Sequence, residues 1–242
     1  MYELAKRNYL TQHGFNEIHL KAVLFDMDGV LYDSMHNHAD AWAYAMSKFG
    51  LEMTPEDVYQ NEGRTGKSTI NLFARRYWGR EVTDEEAQKI YAVKANFFNS
   101  CPDPTPMPGA YELLKKIKDS GIQVLLVTGS GQRSLLAKLN QSFPGIFERE
   151  KMVTSFDVEH GKPNPEPYLK GLKKAGVAPY EAVVVENAPL GVRAATAAEV
   201  FTIAVNTGPL PNGALLDEKA NLIFPSVQEL CNQWEQIANT LL

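Results

Sequence analysis

The run Ala22-Val23-Leu24-Phe25, followed at once by Asp26-Met27-Asp28-Gly29-Val30-Leu31, constrains this chain more than any other stretch. Consecutive apolar residues without alternation predict a strand buried on both faces, the pattern of a parallel sheet. Such strands deliver the side chains at their carboxyl ends into a ligand crevice, which puts Asp26 and Asp28 there. A carboxylate so placed has to be paired, hydrated or bound to a cation, because an isolated buried charge is costly. Asp and Gly also favour turns, so the stretch taken alone describes an Asp-x-Asp-Gly turn equally well.

The next seventy residues carry helical spacing and no strand. Ala41, Trp42, Ala45, Met46 and Phe49 mark a helix over 38–49 with Gly50 as its C-cap. Thr54-Pro55 and Thr83-Asp84-Glu85-Glu86 are N-terminal signals for two more helices, and 68–77 reads as another. The proline-rich stretch Cys101 to Gly109 is an extended return. Beyond it helices and strands alternate: helix 111–120, strand 122–127, helix 132–140, strand 152–156, helix 166–175, strand 182–185, helix 190–198, strand 201–205, strand 222–224 and helix 227–240. The predicted fold class is α/β, a Rossmann-like parallel sheet covered by helices on both faces. Residues 1–32 and 105–242 form this core, with 1–20 as an N-terminal arm, and 33–104 form an inserted all-α domain.

A net charge of −5 supplies no basic field for nucleic acid, so none is expected as a partner. Two cysteines, Cys101 and Cys231, make neither a disulfide framework nor a metal motif, which fits a reducing compartment. With no apolar run near membrane-spanning length and no signal-peptide pattern at Met1 to Asn8, the expectation is a soluble cytoplasmic protein, a monomer with no membrane partner.

Three later stretches carry chemistry. Strand 124–127 ends in Thr128-Gly129-Ser130-Gly131, a small hydroxyl and glycines that leave backbone N–H groups free for an anion, though a plain strand-to-helix loop looks the same. As a dinucleotide fingerprint it is partial, because Ser134 stands at the third glycine position. Gly161-Lys162-Pro163 sets a lysine where it can neutralise charge on a phosphoryl group, although a lone lysine is most often a solvated one. Val183-Val184-Val185 ends in Glu186-Asn187, which repeats the design of the opening strand; Asn187 would also serve as a helix cap. Mg²⁺ takes an oxygen set of the kind that Asp26, the Asp28 carbonyl and Asn187 offer. Gly66-Lys67-Ser68-Thr69 looks like the end of a P-loop, but Asn61 replaces its first glycine and no strand precedes it.

Together, Asp26 and Asp28, Thr128, Lys162, and Glu186 with Asn187 follow successive elements in an order that resembles the haloacid dehalogenase-like (HAD) phosphohydrolase superfamily. The helical insert resembles the cap of its β-phosphoglucomutase-like branch. The resemblance implies Asp26 as a nucleophile forming an aspartyl-phosphate and Asp28 as general acid and base. It also implies Lys162, Thr128, Gly129 and Ser130 on the phosphoryl oxygens, His38 orienting Asp28, and Mg²⁺ held by Asp26, Asp28, Glu186 and Asn187. Two departures from the pattern matter. Asn187 replaces the usual Asp, and Glu62 and Gly66 stand where the branch's sugar-phosphate mutases carry a Lys and an Arg; Arg64 and Lys67 lie close enough to compensate in part. Read as a further Mg²⁺ contact from the cap, Glu62 offsets the charge missing at Asn187, as in a subgroup that hydrolyses inorganic pyrophosphate; otherwise it is a solvated carboxylate. The expected activity is a Mg²⁺-dependent phosphohydrolase acting on a small phosphorylated molecule, with pyrophosphate first. β-Phosphoglucomutase or sugar-phosphate phosphatase activity is the alternative. A dinucleotide-dependent oxidoreductase would put glycines where this chain has Asp26 and Asp28, and a non-catalytic binding protein would lack the nucleophile.

Overall fold

A computed structural model describes residues 1–241. The chain opens with helix α1 (Tyr2–His13), then strand β1 (Ala22–Phe25). Four helices follow: α2 (Met35–Ser47), α3 (Pro55–Gln60), α4 (Gly66–Trp78) and α5 (Asp84–Ser100). Next come α6 (Ala110–Asp119), β2 (Gln123–Val127), α7 (Arg133–Ser142), β3 (Met152–Val153), α8 (Glu166–Ala175) and β4 (Ala182–Glu186). The chain closes with α9 (Pro189–Ala197), β5 (Phe201–Val205), α10 (Asn212–Leu216), β6 (Leu222–Phe224) and α11 (Val227–Leu241).

The strands form one parallel sheet in the order β3-β2-β1-β4-β5-β6. Strand order reverses at β1, and the crevice beyond the carboxyl ends of β1 and β4 is where a ligand is expected in such a sheet. Alternate residues of each strand face opposite layers. Val23, Phe25, Val124 and Leu126 pack under α6 and α11, with Leu113, Ile117, Leu230 and Trp234 above them, while Leu24, Leu125 and Val184 meet α8 and α9 through Tyr168, Leu172 and Ala194. The sheet is thereby dry on both sides, which is why its strands lack polar alternation. α1 lies on α11, and the buried Tyr9 donates a hydrogen bond to the Glu199 carbonyl at 2.7 Å.

Helices α2 to α5 bury a separate apolar cluster built on Trp42, Met46, Ile70, Phe73 and Ile90. α3 and α5 start in capping boxes: Thr54 with Asp57, and Thr83 with Glu86. A cap of this kind contributes about 1 kcal/mol, useful for a helix as short as α3. The strand expected over 152–156 is cut to two residues, because Asp57's counterpart there, Asp157, accepts from both the Thr154 amide and hydroxyl and turns the chain. α10 carries too few residues for a periodic signal and was not anticipated.

Candidate active site

The cap loop 61–65, between α3 and α4, lies across the loops that follow β2 and precede α8. Backbone comes so close at this seam that a side chain on Gly129 would run into the Gly63 carbonyl, and one on Gly161 into Thr65. Beneath the seam is a cavity of about 60 Å³, lined from the core by Asp26, Asp28 and Thr128 and from the cap by Glu62, Gly66 and Tyr91. No helix among the described residues is long and apolar enough to cross a membrane.

Asp26 leaves β1 at its carboxyl end, as its strand predicts, and its backbone N–H continues the ladder to the Val185 carbonyl at 3.0 Å. Its Oδ1 accepts from Lys162 Nζ at 2.5 Å. The same ammonium, fully buried, donates to Glu186 Oε1 at 2.6 Å and to the Val127 carbonyl at 3.1 Å. Burial works against the Lys162 charge, but Asp26 and Glu186 outweigh it and hold the amine above its ordinary range. Burial pushes Asp26 up to about 8 against the pull of Lys162. An Asp26 carboxylate with no further cation is therefore under strain, and a polar, cationic complement would restore its charge.

Asp28 is set apart from Asp26 by its partners. Its Oδ1 accepts from Ser34 Oγ at 2.6 Å and lies 3.0 Å from His38 Nε2, both supplied by the start of the cap. His38 Nδ1 in turn lies 2.7 Å from Lys94 Nζ on α5. An ammonium has no acceptor, so Nδ1 accepts and Nε2 carries the proton toward Asp28. Burial raises Asp28, yet the combined pull of His38, Ser34 and Lys94 brings it below the usual carboxylate range. Burial, then the Lys94 charge, keep His38 low, while burial brings Lys94 itself down to about 7. The two adjacent carboxylates are thus pushed in opposite directions by their surroundings, Asp26 up and Asp28 down.

Thr128 continues β2, with its N–H on the Val153 carbonyl at 2.9 Å and its hydroxyl oxygen accepting from the Ser130 amide at 3.0 Å. Gly129 and Ser130 also line the cavity. Glu62 reaches across the seam, and its Oε1 accepts from Asn187 Nδ2 at 3.0 Å. Burial and then the charge of Asp26 hold Glu62 well above the usual glutamate range.

Two expected site residues are placed elsewhere. Lys67 is exposed and paired with Asp84 at 2.5 Å on the outer face of the cap, because its position on α4 points away from the cavity. Glu186 faces neither a free site nor solvent: Oε1 accepts from Lys162 and from Tyr168 Oη at 2.8 Å, and Oε2 from the Asn187 and Ala188 amides. In this arrangement it anchors the lysine rather than offering an oxygen. Arg64 lines the cavity, with its guanidinium on Asn61 and Ser68 inside the cap.

No three His, Cys, Asp or Glu side chains among the described residues converge as a ready metal cluster. The oxygens that do converge are mixed in kind. Asn187 Oδ1 is buried without a hydrogen-bond partner, and four carboxylates (Asp26, Asp28, Glu62, Glu186) face two lysines, Lys94 and Lys162. An orphaned carboxamide oxygen beside surplus negative charge fits a small divalent cation with oxygen ligands. Asp26, the Asp28 carbonyl, Asn187 and Glu62 are the groups that would hold it.

Four residues of the site escaped the sequence reading: Ser34, Tyr91, Lys94 and Tyr168. Lys94 did carry a signal, since it falls with Ala87, Ile90 and Phe98 on one helix stripe, and all four are buried. A cation within an apolar stripe marks a group that needs a partner inside.

Residues 20–199 match the family described as haloacid dehalogenase-like hydrolase. Among solved structures, one from Bacteroides vulgatus, provisionally described as a β-phosphoglucomutase, superposes with a TM-score of 0.96 and 55% identity over 99% of this chain and 98% of that one. Hexitol phosphatase A of Escherichia coli (strain K12) is 34% identical over 188 residues, 77% of this chain and 83% of its own. A protein of Caldanaerobacter subterraneus provisionally described as a pyrophosphatase is 26% identical over 222 residues, 87% of this chain and 93% of its own.

Proposed function

The chain belongs to the haloacid dehalogenase-like hydrolases, enzymes of phosphoryl transfer, and from that premise we propose that it is a Mg²⁺-dependent phosphohydrolase whose substrate is inorganic pyrophosphate. The observation that carries this reading is Glu62, which enters a cavity of about 60 Å³ from the cap and meets Asn187. Pockets for drug-sized ligands begin at roughly 300 Å³, so a closed cap leaves room for a small phosphorylated group and little else.

Asp26 attacks one phosphorus of the substrate, and the bond to the bridging oxygen breaks. Lys162 faces the charge that builds on the transferred group, with the Thr128 hydroxyl and the amides of its loop beside it. With the substrate's phosphate charge against it Asp28 takes up a proton, and it gives that proton to the departing phosphate. It then takes a proton from water, which attacks the aspartyl-phosphate and returns Asp26 as a carboxylate. His38 and Lys94 hold Asp28 in place for both transfers. Mg²⁺, bound by Asp26, the Asp28 carbonyl, Asn187 and Glu62, would supply charge neutralisation at the phosphoryl oxygens.

The likeness to hexitol phosphatase A favours a second reading, a sugar-phosphate phosphatase. One screen separates the two: phosphate release with Mg²⁺ from pyrophosphate, β-glucose 1-phosphate, hexitol phosphates and hexose 6-phosphates. A higher kcat/KM on any sugar phosphate than on pyrophosphate overturns the first reading.

A further inference from the structure

Resting on the reading of Asp26 as the phosphoryl acceptor, whatever the substrate, we propose that Tyr168 is a positioning residue: its hydroxyl holds Glu186 so that the Lys162 ammonium stays on Asp26. Tyr168 lies on α8, fully buried and outside the cavity, and its Oη donates to Glu186 Oε1 at 2.8 Å. Packing alone does not call for that hydroxyl. The ring belongs to the apolar cluster of Leu24, Val127 and Leu172, where a phenyl group would serve as well.

Glu186 has no lone pair to spare. Its Oε1 takes Lys162 Nζ at 2.6 Å and the phenol, and its Oε2 takes the amides of Asn187 and Ala188 at 2.8 and 3.1 Å. A carboxylate accepts about four such bonds, so this one is saturated. Room for it to fold back this way comes from Gly191, where a Cβ would stand 1.8 Å from Oε1. Lys162 is committed to the same degree: its three protons go to Asp26 Oδ1 at 2.5 Å, Glu186 Oε1 at 2.6 Å and the Val127 carbonyl at 3.1 Å. The two amides fix Oε2, while Oε1 is divided between an ammonium and a phenol. Without the phenol, Oε1 belongs to Lys162 alone. The ammonium then settles toward Glu186 and away from Asp26, where charge builds on the transferred group. The Tyr168 ring supports the same placement, with Nζ lying over it 5.0 Å from its centroid.

The test is Tyr168→Phe, which removes the hydroxyl and keeps the ring, assayed with Mg²⁺ on the parent's best substrate among pyrophosphate, β-glucose 1-phosphate, hexitol phosphates and hexose 6-phosphates. Its kcat should fall at least about tenfold with KM within about threefold, because the loss falls on the transfer step. Inhibition by orthovanadate, which takes the five-coordinate shape of the transferring group, should weaken by the same factor, and inhibition by inorganic phosphate by less than about threefold. In a Glu186→Gln background the same substitution should cost less than about threefold, since residues that act through one another do not add. Circular dichroism melts confirm the fold of each variant, and if Glu186→Gln does not fold, the kcat and vanadate measurements decide. A lowered Tm with kcat and vanadate inhibition at parent values would make the hydroxyl a structural bond only and overturn the proposal. A full tenfold loss in the Glu186→Gln background would overturn it as well. Parent-like turnover in Asp26→Asn would instead remove Asp26 as the acceptor, and this inference with it.

Discussion

Glu62→Gln should stabilise the protein without divalent cation and destabilise it relative to the parent with one. Glu62 accepts a single hydrogen bond, from Asn187 Nδ2, while Lys162 is spent on Asp26 and Glu186. Burial and the charge of Asp26 raise its folded-state pKa well above the ordinary glutamate value. A raised pKa means that the folded protein holds this proton more tightly than the unfolded chain. The associated stability is fully present below the ordinary value and is lost as pH rises through the folded one. Gln keeps the shape and the contact with Asn187 and has no proton to lose. With a chelator at pH 8, discounted for the part of the side chain open to the cavity, the variant should be more stable by about 1–2 kcal/mol. For a chain of this length that is an upward shift in Tm of roughly 2–8 °C, shrinking toward zero at pH 5. Asp26, pushed up to about 8, is coupled to Glu62 by charge, so its own relief in the variant adds to the difference in the same direction. With Mg²⁺ at a hundred times its Kd the parent should gain about 2.7 kcal/mol and the variant much less, so the order inverts. Thermal melts from pH 5 to 8, with EDTA and with Mg²⁺, read both effects. Equal Mg²⁺ stabilisation of the two proteins, or a variant less stable than the parent in EDTA at pH 8, would refute the reasoning.

Asp26→Asn should abolish phosphate release by at least about 10⁴-fold while leaving the fold intact, since no other group in the cavity can take its place as nucleophile; residual turnover above about a thousandth of the parent's would contradict it. Lys94→Met should lower kcat more than it changes KM and raise the His38 pKa, because the Lys94 charge helps to depress it; an unchanged imidazole titration by NMR would show that the two do not communicate. Gly129→Ala drives a methyl into the Gly63 carbonyl and should cut kcat/KM about 10²-fold by holding the cap loop off the core, with little change in Tm; parent-like kinetics would mean that turnover does not need this seam closed.

The sheet was legible because its strands are buried on both faces: the apolar runs at 22–25, 124–127 and 182–185 carry the signal undiluted, and the capped helices of the insert were marked by Thr54-Pro55 and Thr83. The core half of the site was legible for the same reason, since Asp26, Thr128 and Asn187 each follow such a run. What sequence could not supply was side-chain direction. Lys67 and Lys94 are both helix lysines in the cap, yet one faces water beside Asp84 and the other is enclosed between His38 and three aromatic rings. Glu186 stands at a strand end as Asp26 does. It turns back to Lys162 and Tyr168 because α8 brings a buried phenol within 2.8 Å, a contact between positions far apart in a local pattern.

On the proposed reading, exchanging the expected Asp for Asn187 and placing a carboxylate at Glu62 moves one negative charge from the core to the cap. Asn187 is fixed at the end of β4, whereas Glu62 belongs to the loop between α3 and α4. The oxygen set that would hold a divalent cation is then complete only while the cap loop lies on the core. The same seating of the cap on the core leaves the cavity small. A sugar phosphate too large for that cavity is not thereby denied binding; it keeps the cap from closing and so meets a site short of one carboxylate. Discrimination of this kind falls on the step after binding. Such substrates should therefore show a depressed kcat with a KM near that of pyrophosphate, whereas a site that simply bound them poorly would raise KM and leave kcat alone.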